Sequence, residues 1–141
     1  VKWIPLIKKG LDYVSEDGTV IPNSVLTKPS AKARSYAFCS DTKYSEAIIP
    51  VIKDVDLLYH EATFLSDNEG LADMTFHSTA RQAAEIAKKA GVKKLILGHY
   101  STRYKNTDLF RKEAAEVFQE SYLAEDGMTF DIPYSGRDSE F

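Results

Sequence analysis

Apolar residues recur every three or four positions in two stretches of the chain, the spacing of one helical face. The stretch STARQAAEIAKKAG predicts the clearer helix, which Gly91 is expected to end. One narrow face of this helix holds small residues: Ala80, Ala83, Ala84 and Ala87. The stretch TDLFRKEAAEVFQESY predicts an amphipathic helix with this apolar face: Phe110, Ala114, Val117 and Phe118.

Short apolar runs around these helices predict strands. The runs are SYAFCS, DLLYHEATF and VKKLILGHY, and MTFDIP predicts a further short strand. SEAIIPVIKD predicts one brief helix that Pro50 interrupts. Strands that alternate with helices usually pair in parallel through right-handed crossovers. Residues 35–134 therefore predict an α/β fold of the order βαβαβαβ with a parallel or mixed sheet.

Residues 1–34 follow a different pattern. Asp17 and Gly18 stand between two partly β-branched apolar runs, which predicts a hairpin. A basic loop follows, with these cations: Lys28, Lys32 and Arg34. Residues 135–141 predict a loose tail. Because 141 residues suit one ordinary domain, we expect these parts to belong to a single domain.

Composition narrows the class of protein. The chain is 43% hydrophobic and 28% charged, which is typical of a soluble globular protein. Its net charge of −3 argues against a surface devoted entirely to nucleic acid, while local basic clusters stay compatible. No apolar run approaches the ~20 residues of a membrane helix, and no signal peptide is recognisable. With Cys39 as the single cysteine, we expect a cytoplasmic protein with no membrane partner.

Titratable side chains follow the predicted strands at the points where the strands end. Asp41 comes after the first strand, His60 and Glu61 end the second, and His99 ends the third. His77 precedes the alanine-faced helix, on the loop that leaves the same edge. Because the carboxyl ends of parallel strands meet at one edge of a sheet, we expect these groups to converge there.

Each of these residues, taken alone, also has an ordinary structural explanation. Asp41 suits a strand-to-helix turn, and His99 suits a buried core. His77 stands at a helix entrance where Thr79 and Gln82 match a capping box. Together, however, carboxylates and imidazoles at one edge favour metal-assisted hydrolysis, since Asp and His are ordinary zinc ligands.

The hydroxyl of Ser101 and the guanidinium of Arg103 follow His99 and suit a phosphate group. The residues therefore favour a phosphodiester substrate. Asp41 and the three histidines are too few to ligate two bridged metal ions, and even one zinc usually takes three protein ligands.

Four segments in order, YAFCSDT, YHEATF, FHSTARQAAEIA and LILGHYSTRY, resemble the ribonuclease Z family. Members of this family are transfer-RNA 3′ processing endonucleases of the metallo-β-lactamase superfamily. The resemblance covers about residues 10–134, and the spacing of Asp41, His77 and His99 is similar to the family's spacing. It implies that the α/β fold is the second half of an αββα sandwich.

The resemblance implies a role for each group at the edge. Asp41 would bridge two zinc ions, and His99 would be a histidine ligand of one of them. His77 would donate a proton to the leaving 3′ oxygen of precursor transfer RNA. Glu61 would hold the orientation of His77.

The resemblance also implies that Ser101 and Arg103 lie beside the substrate phosphate. His60 receives the least defined role, since its place in the HEAT motif is compatible with a purely structural one.

Parts of the family pattern are missing from this sequence. The H-x-H-x-D-H motif and a further histidine ligand are absent, and the chain begins at Val1 rather than at methionine. We therefore expect the C-terminal half of the enzyme, without the N-terminal half of the sandwich or the arm that grips transfer RNA. We expect this chain alone to hold no dinuclear zinc site and to cleave no RNA. An exposed sheet face or edge would favour a homodimer.

Two other functions fit part of the pattern. A metallo-β-lactamase-type phosphodiesterase or esterase acting on small molecules would use the same edge. The second alternative is a non-catalytic α/β module, such as a receiver-like domain in which Asp41 accepts a phosphoryl group. That class requires an acidic cluster at the first strand, which this sequence lacks, and it leaves the histidines without a purpose.

Overall fold

The computed structural model describes residues 2–28 and 33–132. The chain divides into two compact units, one of Val1–Lys32 with Tyr134–Phe141 and the other of Ala33–Pro133. The predicted tail, residues 135–141, lies outside the described residues, as does Lys32 of the predicted basic loop. The predicted single domain and its internal boundary at residue 34 stay predictions.

The first unit contains the predicted hairpin. Strands β1 (Tyr13–Val14) and β2 (Val20–Ile21) pair antiparallel. In the turn, the Thr19 backbone N–H donates to Asp17 Oδ1 at 3.0 Å. Two short helices that the pattern did not predict flank the hairpin, α1 (Ile4–Ile7) and α2 (Asn23–Leu26).

The second unit is an α/β layer, as its sequence predicts. Among the residues described, its strands are β3 (Tyr36–Cys39), β4 (Leu57–Glu61), β5 (Leu95–Gly98) and β6 (Ser121–Leu123). They pair in parallel in the order β3-β4-β5-β6. Its helices are α3 (Glu69–Met74), α4 (Ala80–Ala90) and α5 (Asp108–Ala115), and Glu46–Ile48 and Ser66–Asn68 form 3₁₀ turns.

Helix α4 forms as the apolar pattern predicts. Thr79 caps its N-terminus in a reciprocal capping box with Gln82, and Gly91 ends it with φ +67°. Its small residues are fully buried against the sheet: Ala80, Ala83, Ala84 and Ala87. The same core contains Leu58, Leu95 and Leu97 of the sheet. The small residues of α4 therefore let the helix pack closely on β4 and β5, which fixes the positions of these strands.

Three predicted elements differ in the structure. The last described strand is β6, residues 128–132 of MTFDIP form no strand, and α5 ends well before the apolar pattern does. The N–H of Leu95 donates to the carbonyl of Glu120, and that of Ala124 to the carbonyl of Leu97, so this segment completes the parallel ladder. SEAIIPVIKD forms only a 3₁₀ turn before Pro50. Within the described ranges, no helix combines the length and apolarity needed to cross a lipid bilayer.

One face of the sheet packs on α4 through Leu58, Leu95 and Leu97, and the opposite face is partly exposed. Phe38 stacks on Tyr59 with ring centroids 4.6 Å apart, yet Phe38 remains 63% exposed. Tyr59 and Ile96 line a groove of about 470 Å³ on this face. Gly98 leaves room for the Tyr59 ring, because a Cβ at Gly98 would lie 2.7–2.8 Å from its carbons.

The contact between Gly98 and Tyr59 gives a stability prediction. We expect Gly98→Ala to lower the free energy of unfolding by ~1–3 kcal/mol, because the added methyl group displaces a packed ring. Urea unfolding of the double variant Gly98→Ala/Tyr59→Ala supplies the control. Without the Tyr59 ring, Gly98→Ala is expected to change the free energy of unfolding little. An equal loss of stability in the wild type and in Tyr59→Ala would refute this explanation.

Candidate active site

Loops at the carboxyl edge of the sheet carry the titratable side chains. Asp41 lies just past β3, Glu61 ends β4, and His99 directly follows β5. Asp41, Phe76 and His99 have φ values of +50°, +60° and +63°. A left-handed backbone is uncommon for non-glycine residues, although Asp and His adopt it more often than most. Three of the four such residues described, all but Asp54, lie at this edge, and functional sites often hold such backbone.

Asp41, His77 and His99 form one cluster, as the sequence predicts. Each offers one ligand atom, and these atoms all lie within 4.8 Å of one another. Nε2 of His99 is 3.4 Å from Oδ1 of Asp41, and the two imidazole centroids are 5.2 Å apart. The side chains of Asp41 and His99 are 73% and 43% exposed, so the cluster opens to solvent.

Glu61 lies beneath the cluster and is fully buried. Its Oε1 accepts from the Thr42 backbone N–H at 2.9 Å and from Nδ1 of His77 at 2.8 Å. Its Oε2 accepts from the backbone N–H groups of Thr63 and Ser78, both at 3.2 Å, and from the Thr63 hydroxyl at 2.7 Å. A buried carboxylate is tolerated when it is bonded in this way.

His77 is held from its inner side. Because Nδ1 donates to the buried Glu61, Nε2 is left on the outer side of the ring. The backbone N–H of His77 donates to the carbonyl of Ala72 at 2.8 Å, and its ring lies edge-on to Phe64 at 6.2 Å. The loop before α4 therefore fixes the ring together with its backbone.

Ser101 and Arg103 extend the same edge. The backbone N–H of Ser101 donates to the Thr63 carbonyl at 3.0 Å, which ties their loop to the end of β4. The Arg103 guanidinium lies 5.4 Å over the Phe64 ring, which also contacts His77. Both residues thus share a neighbour with the cluster, and Arg103 is exposed enough to bind an anion.

His60 lies away from this cluster. It is 1% exposed, and its Nδ1–H donates to the carbonyl of Glu61 at 2.7 Å. Among the residues described, Nε2 of His60 has no hydrogen-bond partner. Burial lowers the pKa of His60 below 6.5. These surroundings suit the structural role that the sequence left open.

Several residues of the site were not predicted. Thr42, Thr63 and Ser78 hold the Glu61 carboxylate, although the HEAT and HST segments already contained two of them. Phe76 is 66% exposed directly before His77, with Nζ of Lys43 5.5 Å from its ring centre. An exposed aromatic ring next to a polar cluster was the signal that could have identified Phe76.

Comparison with known proteins identifies relatives of this chain by sequence. A family model described as "Beta-lactamase superfamily domain" matches residues 24–100. "Ribonuclease Z" of Parabacteroides distasonis is 51% identical over 132 residues, which are 94% of this chain and 43% of that protein. "Ribonuclease Z" of Porphyromonas gingivalis is 50% identical over 91% of this chain and 42% of its own length. The chain thus spans about two fifths of the length of these curated relatives.

Two solved structures resemble the fold. The metallo-beta-lactamase fold protein YhfI from Bacillus subtilis has a TM-score of 0.66 and 29% identity, over 70% of this chain and 40% of that one. The short form of human tRNase Z (ELAC1) has a TM-score of 0.50 and 34% identity, over 63% of this chain and 29% of that one.

The lowered pKa of His60 predicts how stability depends on pH. As pH falls through the unfolded-state value near 6.5, the unfolded chain takes up a proton that folded His60 does not. Folded wild-type protein therefore loses stability relative to His60→Gln as pH falls through about 6.5, by at most ~1.4 kcal/mol per pH unit, and the two profiles run parallel well above that pH. Urea unfolding at several pH values tests this, and both other histidines remain in each protein. Profiles that stay parallel below about pH 6.5 as well would contradict it.

Proposed function

The chain belongs to the beta-lactamase superfamily, and from this premise we propose that it supplies active-site residues to a zinc-dependent endoribonuclease that cleaves the 3′ trailer from precursor transfer RNA. One observation carries the proposal: buried Glu61 binds His77 directly beside the solvent-facing groups of Asp41 and His99. The relatives called ribonuclease Z support the RNA substrate.

Asp41 and His99 fit a zinc ion by their chemistry, since carboxylate oxygen and imidazole nitrogen are ordinary zinc ligands. When bound, zinc would supply Lewis-acid charge and an activated water at neutral pH. We propose two ions for the whole enzyme, and Asp41 and His99 would be among the residues that hold them. Because the described cluster offers Asp41, His77 and His99, this chain alone is proposed to hold no dinuclear site and to cleave no RNA.

His77 is assigned to the proton transfer. With Nδ1 bonded to Glu61, its Nε2 carries the proton for the leaving 3′ oxygen when the P–O bond breaks. General acid catalysis of this kind contributes ~10²–10⁴-fold to the rate. Glu61 is the positioning residue, because its buried oxygens fix the ring and the loop around it.

Ser101 and Arg103 are assigned to the substrate phosphate. The Phe64 ring supports one face of the Arg103 guanidinium and leaves its N–H edge available. That edge suits phosphate oxygens, which a planar guanidinium binds in pairs. A hydroxyl at Ser101, anchored to the end of β4, adds a further donor.

The alternatives from the sequence are a small-molecule phosphodiesterase or esterase and a non-catalytic α/β module. Phe76 distinguishes the RNA enzyme from the first, because a 66% exposed ring with the Lys43 ammonium over it suits a base of an anionic RNA, which a small substrate does not offer. The bonded pair of His77 and Glu61 argues against a module without catalysis.

We further propose a homodimer in the cytoplasm. Phe38 and Tyr36, on edge strand β3, are 63% and 53% exposed, so a second copy would shield an apolar surface. Cys39, the single cysteine of the chain, is free, which agrees with a reducing compartment. Sedimentation velocity should show a dimer, and a strict monomer at high concentration would count against it.

Metal analysis of the purified chain tests the zinc assignment. We expect fewer than two zinc ions per chain at neutral pH. Asp41→Asn and His99→Asn should weaken binding while tolerating the left-handed backbone. His77→Ala should leave zinc binding nearly unchanged, because His77 is assigned to proton transfer. Two tightly held ions, or a loss of zinc in His77→Ala, would overturn this assignment.

A chimera tests the reaction. This chain would replace the matching segment of the Parabacteroides distasonis ribonuclease Z. We expect the chimera to remove the 3′ trailer of a precursor transfer RNA, and His77→Ala to slow this by ~10²–10⁴-fold. Glu120→Gln, a change at an exposed and remote position, is the matched control and should keep full activity.

A second substrate separates the RNA enzyme from the small-molecule alternative. Phe76→Ala should reduce cleavage of the precursor RNA more than that of glycerophosphocholine, a small diester without an aromatic ring, because only the RNA can stack on Phe76. A chimera that cleaves the small ester and leaves the RNA intact would favour the alternative.

A further inference from the structure

Thr63 lies between Glu61, which binds His77, and His99, and the Thr63 hydroxyl contacts both Glu61 and His99. We propose that Thr63 is a positioning residue that holds His99 in the tautomer with the proton on Nδ1, so that the lone pair on Nε2 faces Asp41. The hydroxyl lies 2.7 Å from Oε2 of Glu61 and 2.8 Å from Nδ1 of His99. Thr63 is 7% exposed, so water competes little for these contacts.

The direction of the first hydrogen bond follows from the other donors around Glu61. The backbone N–H groups of Thr63 and Ser78 both donate to Oε2, and amide N–H groups cannot accept. Oε2 is therefore an acceptor, and the Thr63 hydroxyl donates its single proton to it.

The direction of the second hydrogen bond then follows for His99. With its proton committed to Glu61, the Thr63 oxygen can only accept from Nδ1 of His99, which must carry a proton. The opposite tautomer would place two lone pairs 2.8 Å apart at a partly buried contact, whereas the proposed one leaves the Nε2 lone pair 3.4 Å from an Asp41 oxygen that is open to solvent. Nε2 is then unprotonated in the neutral ring, and it lies 3.4 Å from Oδ1 of Asp41. A metal ligand needs this form of the ring.

The same carboxylate also orients the second imidazole. Nδ1 of His77 donates to Oε1 of Glu61, while Nδ1 of His99 reaches Oε2 through the Thr63 hydroxyl. One buried group thus turns Nε2 of both rings outward. Thr63 therefore couples the proposed proton donor to the proposed metal ligand, and only this use of the tautomer rests on the proposed function.

The tautomer can be read directly from the metal-free chain. Long-range ¹H–¹⁵N correlation spectra would be recorded at a pH where the imidazoles are neutral. The chain has three histidines, so His60→Gln and His77→Ala assign the signals by elimination. We expect His99 to carry its proton on Nδ1. In Thr63→Val, which keeps the shape and removes the hydroxyl, we expect the Nε2-protonated form to increase.

Matched variants separate the hydroxyl from general damage. Thr63→Ser should keep the wild-type tautomer. Thr42→Val should keep it as well, because the Thr42 hydroxyl donates to the Lys43 carbonyl and only its backbone N–H reaches Glu61. In a competition assay with a chromophoric chelator, Thr63→Val should weaken zinc binding by ~10–100-fold relative to Thr63→Ser.

The outcomes are decisive even if Thr63→Val does not fold. A wild-type spectrum with the His99 proton on Nε2 overturns the inference by itself. An unchanged tautomer in folded Thr63→Val also overturns it. Because these spectra involve no RNA, a chimera that fails to cleave transfer RNA would leave the result on His99 standing. Equally, a different tautomer of His99 would leave the cleavage result standing.

Discussion

The buried carboxylate of Glu61 is the constraint on which the site depends. A charge removed from water costs several kcal/mol unless donors surround it, and here the donors come from separate loops. Backbone N–H groups of Thr42, Thr63 and Ser78 converge on two oxygens. The loops after β3, after β4 and before α4 are therefore held at one point. Asp41 and His77 lie next to Thr42 and Ser78, so the Glu61 carboxylate fixes the position of both.

Much of this arrangement could be predicted from the sequence, because it follows from rules that act along the chain. Three apolar runs, each ending in a titratable residue, imply parallel strands and hence one shared edge. The capping box of Thr79 and Gln82 and the alanine face of α4 are local patterns, and the structure confirms them. The cluster of Asp41, His77 and His99 is the outcome of that placement.

The parts that could not be predicted depend on the three-dimensional arrangement. MTFDIP is as apolar as a strand, but the free edge of β5 pairs with Ser121–Leu123, whose sequence reads as the end of a helix. The contacts of the Thr63 hydroxyl could not be predicted either. Nothing in the HEAT segment says that Thr63 lies between Glu61 and His99, since that contact needs the end of β4 to lie beside the end of β5.

The strand order has a consequence for how such a chain acquires its structure during synthesis. Among the residues described, each strand of β3-β4-β5-β6 pairs with strands that are its neighbours along the chain. These four strands can therefore join the sheet one at a time as the ribosome extends the polypeptide. Every residue of the cluster precedes β6, so its geometry can be established before the last described strand joins the sheet.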